Sequence, residues 1–154
     1  MNDLENRLSE LGIQLPDPPA PVAAYVPWVR TGNLIVVSGQ VPFVDGELIA
    51  KGPVPSVVSV EQAKEAARCC AVNGLAVLRQ ALDGELHRLR RVVRLGAFVQ
   101  CDDRFDGQPG VANGASELMV DLLGDAGRHA RAAVGVNALP LDASVEVEFT
   151  FEVE

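Results

Sequence analysis

Only two histidines, His87 and His129, and three cysteines, Cys69, Cys70 and Cys101, occur in the 154 residues. There is no C-x-x-C and no H-x-x-x-H, so the ligand spacings of a zinc site are missing. An odd cysteine count without framework spacing argues equally against a disulfide scaffold. Cys69 and Cys70 fall in an alanine-rich stretch and read as small buried hydrophobes. Basic charge is scarce too: 13 Lys and Arg stand against 21 Asp and Glu, a formal net charge of -8. A nucleic-acid binder neutralises phosphates with cations, and an acidic chain begins that task with repulsion. The one basic cluster, His87-Arg88-Leu89-Arg90-Arg91, reads as a solvated helix-to-strand connection. No apolar run approaches the roughly 20 residues that span a bilayer. The start, MNDLENRLSELG, is polar and acidic, unlike a secretory signal. A cytoplasmic protein with neither membrane nor nucleic acid as partner is the expectation.

What is present suits a folded domain. Apolar residues make up 48% and charged residues 22%, ordinary values for a globular chain, and this length buries roughly 70% of the unfolded surface. Residues 1–20 read as an N-terminal arm: a short amphipathic helix over 3–11, with Leu4, Leu8 and Leu11 on one face, then the proline-rich extended run Pro16-Asp17-Pro18-Pro19-Ala20-Pro21. Residues 21–154 read as one domain. Tyr25 to Arg30 and Asn33 to Ser38 flank Thr31-Gly32-Asn33 and predict a hairpin, with a third short strand near Glu47 to Ala50 after the Asp45-Gly46 turn. Ser59-Val60-Glu61-Gln62 is a capping-box start for a helix over 60–82. A strand over 89–99 follows, then a helix over 113–123 with Asn113 as its natural N-cap.

The C-terminal stretch is the sharpest local signal. Val145, Val147, Phe149, Phe151 and Val153 alternate with Glu146, Glu148, Thr150, Glu152 and Glu154, a period of two that specifies a strand with one core face. Before it, residues 131–137 read as a strand with Ala132, Val134 and Val136 inward and Arg131, Ala133, Gly135 and Asn137 outward. If these two strands make a regular hairpin, Glu146 pairs near Asn137 and Arg131 lies roughly 20 Å away along the chain, at about 3.3 Å per residue. One small ligand then meets both side chains only where neighbouring subunits contribute. The order β-β-β-α-β-α-β-β makes an α+β domain with two helices on one face of a mixed sheet the economical architecture.

Tyr25, Gly32-Asn33 and Val37-Ser38-Gly39-Gln40-Val41-Pro42 resemble the N-terminal signature of the RidA/YjgF family. Arg131-Ala-Ala-Val-Gly-Val-Asn-Ala-Leu-Pro140, followed by Val145-Glu146-Val147-Glu148, resembles that family's most specific motif. Glu61-Gln62-Ala63 and Val111-Ala112-Asn113 fall between them in the family's order, and the resemblance covers residues 20–154. It implies a chorismate-mutase-like α+β fold, a homotrimer with ligand clefts between subunits, and cofactor-independent hydrolysis of reactive enamines and imines such as 2-imino acids. An older label for such proteins is endoribonuclease L-PSP.

The residue types suit that chemistry. An imine of a 2-keto acid carries a carboxylate beside an electrophilic C=N carbon. Arginine offers a planar, permanently charged fork for the carboxylate, and Arg131 stands at the matching position. A glutamate orients water and accepts its proton, and Glu146 matches the family's acidic position. Tyr25, Ser38 and Asn113 match polar cleft positions, with backbone at Gly39 and Ala133. Other readings stay open: Arg131 as a surface ion-pair residue, Glu146 as one of a row of solvated carboxylates, Tyr25 as a strand anchor, Ser38-Gly39 as a strand-ending turn. The chain also departs from the pattern. Ala133 stands where many deaminating relatives have cysteine, His129 where they often have proline, Asp102 to Gly110 is longer, and the arm is additional, which marks a divergent branch. A non-catalytic trimer binding a small carboxylate is the alternative, and neither histidine is given a role.

Overall fold

A computed structural model describes residues 3–18, 20 and 23–154. Its elements run α1 (Asp3–Glu10), β1 (Trp28–Thr31), β2 (Leu34–Gln40), β3 (Phe43–Val44), β4 (Glu47–Leu48), α2 (Val60–Ala81), β5 (Leu89–Gln100), α3 (Gln108–Leu123), β6 (Ala130–Val136) and β7 (Val145–Val153). Five strands form a mixed sheet in the order β1-β2-β7-β5-β6, in which β5 and β6 are parallel and the other pairs antiparallel. α2 and α3 pack together over one face, and the short α1 lies on α3. The expected α+β class holds, with a third helix contributed by the arm. The expected third strand is not in this sheet: β3 and β4 form a separate ribbon around Asp45 and Gly46, whose φ values of 51 and 82 suit the tight turn of a two-residue hairpin.

The alternation along β7 becomes burial: all five odd positions are buried and the even ones half-exposed. Phe149 and Phe151 stack with centroids 5.6 Å apart. Above them α2 begins at the predicted capping box, Ser59 and Gln62 bonding each other's backbone. Its inner face is small (Ala63, Ala67, Cys70, Ala71 and Gly74), so the helix lies close on the sheet; a Cβ at Gly74 would stand 2.6 Å from the Phe149 ring. Burial pushes the Cys69 thiol up to about 11, with Glu65 adding to it, and raises Cys70 well above its ordinary value. Both are packing groups, not nucleophiles. The α2–α3 crossing is tighter still, because a Cβ at Gly114 would run into the Lys64 carbonyl, whose carbon would be 2.8 Å away. Gly114→Ala is therefore expected to destabilise the fold by about 2 kcal/mol or more through forced separation of two backbones. Chemical denaturation reads that as a fall in midpoint at unchanged slope.

Three sequence expectations are corrected. β6 and β7 are not a hairpin, since β5 lies between them. The reason is the helix before β6: a strand–helix–strand crossover lays the second strand parallel beside the first, which fills the edge next to β5 and leaves β7 the slot on the other side. The faces of β6 are reversed as well. Arg131 is level with Leu95 and Phe149, Ala133 with Ala97, and Gly135 with Val99, all on the helix side. Ala132, Val134 and Val136 share the open face with Gly96, Phe98 and Gln100. Small residues suit the helix side there, because a Cβ at Gly135 would meet Cys101 Sγ at 2.7 Å and Gln108 Nε2 at 2.8 Å. Finally, α3 starts five residues early, with Gly107 at its N-cap and a proline in its first turn. Asn113 thus sits inside the helix and caps nothing. Smaller differences are that Tyr25 precedes β1, and that α1 stops at Glu10 and leaves Leu11 exposed.

Among the described residues, no helix is long and apolar enough to cross a membrane, and no group of three or more His, Cys, Asp or Glu side chains could hold a metal ion.

Candidate functional site

The sheet carries two polar clusters at different places. The first is built on the helix side of edge strand β6. Arg131 Nη1 donates to Asn113 Oδ1 at 2.8 Å and to Ser116 Oγ at 3.1 Å. Asn113 and Ser116 are three apart on α3 and therefore share a helix face, which explains an asparagine in a helix interior where its propensity is poor. Both acceptors are neutral, and among the described residues Arg131 makes no ion pair. Nη1 is held, and the Nε–Nη2 edge of the guanidinium has no partner among the described residues; such an edge receives a carboxylate through two parallel hydrogen bonds. Ala133, one step along the same face, is half-buried against the core.

The second cluster lies on the opposite face, where β2 meets β7. The β2 register slips between Val37 and Gln40, so Ser38 and Gly39 together oppose the single residue Glu148, a β-bulge. The bulge presses the chain against Glu146: a Cβ on Gly39 would collide with the carboxylate, its carbon Cδ being 2.9 Å away. A side chain at position 39 would have to push that carboxylate aside. Ser38 Oγ donates to the Val26 carbonyl at 2.7 Å and Ser38 N to that of Pro27 at 2.9 Å, which ties the segment following Tyr25 to the bulge. Tyr25 itself is 61% exposed. Glu148 is paired with Arg94 at 3.0 Å, whereas Glu146 has no ion pair among the described residues. Burial raises the Glu146 carboxyl above its ordinary value, with the Glu148 charge adding to the effect.

Within one chain these clusters do not meet. Glu146 is level with Phe98 and Val134, and Arg131 with Leu95 and Phe149. The two residues are thus two strands and three rows apart, about 14 Å between Cα atoms from standard sheet spacings. Their side chains leave opposite faces. Ser38, Gly39 and Glu146 come together on one side, with exposed Tyr25 just before the segment bonded to Ser38; Arg131, Asn113 and Ala133 lie on the other.

Sequence reasoning missed Ser116 and His129, which complete the Arg131 cluster. Ser116 Oγ lies 2.9 Å from His129 Nε2, and His129 Nδ1 lies 2.6 Å from the Gly127 carbonyl. The signals that could have found them are simple periodicities: Ser116 lies three residues after Asn113 on a helix, and His129 two before Arg131 at a strand entry.

A family model described as "YjgF/chorismate_mutase-like, putative endoribonuclease" matches residues 5–153. The chain belongs to this YjgF/chorismate mutase-like family. It is 42% identical over 146 residues to Protein TCP17 of Trypanosoma cruzi, covering 94% of this chain and 91% of that one. Among solved structures it is similar to Atu1372 of Agrobacterium tumefaciens, a protein of unknown function, at 46% identity and a TM-score of 0.92 over 99% of this chain and 93% of that one. The YjgF gene product of E. coli is 26% identical with a TM-score of 0.63, over 88% of this chain and 93% of its own. The family match begins at residue 5, so it takes in most of the arm, which the motif resemblance left out.

Proposed function

We propose that the chain is a cofactor-independent hydrolase of 2-imino acids and their enamine tautomers, acting in clefts between the subunits of a homotrimer. The observation that carries this reading is Arg131, bonded to two neutral acceptors, with its Nε–Nη2 edge unpaired among the described residues. The substrate carboxylate docks on that edge, which sets the C=N carbon at a defined place. Water adds to the carbon of the protonated imine as its proton passes to Glu146, giving a neutral carbinolamine. Glu146 returns that proton to nitrogen and takes the hydroxyl proton as the C–N bond breaks, so ammonia and the 2-keto acid leave and the last proton goes to solvent. A carboxyl raised by burial is a better base than an exposed one. Tyr25, Ser38 and the backbone at Gly39 and Ala133 supply hydrogen bonds to substrate and water. Because Arg131 and Glu146 leave opposite faces of one sheet, the cleft takes Arg131 and Asn113 from one subunit and Glu146, Gly39 and Tyr25 from its neighbour.

The second reading, a trimer that only binds a small carboxylate, uses the same free arginine edge. The two differ in turnover. The test generates imines in situ with an amino-acid oxidase and traps survivors with semicarbazide. The proposal expects catalytic amounts of protein to suppress trapping. Failure across small, aliphatic and aromatic imines by a folded trimer would overturn it, and a rise in Tm with added 2-keto acid would then favour the binder. The ribonuclease label fits the net charge of -8 poorly.

A further inference from the structure

We infer that His129 is a positioning residue, which acts through Ser116 to hold the Arg131 guanidinium in the orientation that receives a carboxylate. The inference rests on the proposed role of Arg131 and adds to it how the anchor is kept in place.

For a neutral His129 imidazole, donor and acceptor roles along this chain of groups follow from elementary hydrogen-bond chemistry. The Gly127 carbonyl can only accept, so the bond at 2.6 Å puts a proton on His129 Nδ1. The neutral ring then presents a bare Nε2 to Ser116 Oγ at 2.9 Å. Serine has one hydrogen to give, and it goes to Nε2. The oxygen is thereby left as an acceptor facing Arg131 Nη1 at 3.1 Å. The second hydrogen of Nη1 goes to Asn113 Oδ1 at 2.8 Å. Donation therefore runs in one sense, from Arg131 to Ser116 to His129 to the backbone, and each hydrogen bond reinforces the next.

The far end of this relay is rigid. Gly127 is buried, and a Cβ there would collide with the Met119 carbonyl and stand 2.8 Å from Val120 Cα. Its backbone thus lies flush on α3, and its carbonyl cannot drift. His129 is itself half-buried, and both ring nitrogens lie within hydrogen-bond distance of a partner. Without the imidazole, the Ser116 hydroxyl is free to rotate and to turn its hydrogen toward Nη1, which replaces an attraction with a repulsion. A long, flexible arginine on an edge strand then samples other rotamers, and the entropy of fixing it falls on ligand binding instead.

The contact with a substrate carboxylate is the same before and during water attack, so weakening it affects ground state and transition state alike. His129→Leu is therefore expected to raise KM for 2-imino acids roughly tenfold, the worth of one hydrogen bond to a charged group, with kcat within about twofold. Ser116→Ala behaves in the same way, and the double variant is no worse than either single one. His129→Gln restores most of the loss, because its amide oxygen gives Ser116 an acceptor again, whereas a purely packing role would leave Gln no better than Leu. The wild-type ring gives a direct check without ligand: two-dimensional 15N–1H spectra should show Nδ1 protonated and Nε2 bare. Protonation at Nε2, or His129→Leu with wild-type KM, would overturn the inference even where Arg131→Ala is inactive. If Arg131→Ala keeps wild-type KM, the anchor reading itself has failed, and the spectrum still reports on the relay.

Discussion

If the chain hydrolyses 2-imino acids as proposed, Arg131→Ala is expected to lower kcat/KM by about a hundredfold or more, the scale set by removing one partner of a charged, hydrogen-bonded pair. The loss is carried mainly by KM, since the carboxylate is held throughout the reaction. The fold should be barely affected. Arg131 is exposed on an edge strand and makes no ion pair among the described residues, and its two bonds are to Asn113 and Ser116. Both of those acceptors can turn to water once the guanidinium is gone. A Tm within a few degrees of wild type, with activity lost, separates an anchor from a structural arginine. Arg131→Lys is not expected to recover, because an ammonium cannot present two parallel donors. Steady-state kinetics by the trapping assay check both variants, and full activity in Arg131→Ala would remove the carboxylate anchor from the account.

Glu146→Gln is expected to act on kcat, by roughly a hundredfold or more, as removal of a general base does. It should also change the pH dependence of both rate and stability. Burial raises the folded carboxyl above the ordinary glutamate value of 4.5. Between 4.5 and the folded value the folded chain holds a proton that the unfolded chain has released, so stability declines as pH rises through that window. Below 4.5 both states are protonated, and the penalty of keeping a charge in this site is absent. Glutamine carries no charge, so the variant should lack this slope and be the more stable form at neutral pH. The rate runs the other way: the wild type needs the ionised base, so kcat falls as pH drops through the raised value. Loss of activity together with gain of stability is the signature of a functional carboxylate held in an unfavourable place. A variant that loses both would point to a structural role.

Much of this arrangement is legible in the sequence, and the rest fails for identifiable reasons. The β7 alternation and the Ser59–Gln62 capping box are local devices, and each appears where the chain predicts it. Periodicity tells which residues share a face but not which strand lies alongside, so the order β7-β5-β6 could not come from the pattern of residues 131–153. On β6 the preference of valine for the interior points to the wrong face. Val134 is 45% exposed on the open face, as are Val29 at 53% and Val36 at 46%, while the inward places go to Ala133 and Gly135, where space is short. Asn113 looked like a cap because asparagine usually is one, and the earlier proline-led start of α3 overrode that preference. Ser116 and His129 carry no motif at all. Their part in the site arises from a helix lying across a strand, which only tertiary structure brings about.

The two polar clusters on opposite faces make one claim central: an intact cleft requires two subunits. Co-refolding Arg131→Ala with Glu146→Gln tests it most directly. Well below KM each parent alone is expected to keep only about a hundredth of the wild-type rate, but in a randomly mixed trimer about a quarter of the clefts receive Arg131 from one subunit and Glu146 from its neighbour, as a heterologous ring allows. Activity should therefore return to roughly a quarter of the wild-type value per cleft. Mixed trimers, shown by mass to contain both chains, that stay as inactive as their parents would contradict the account and place the whole reaction within a single chain.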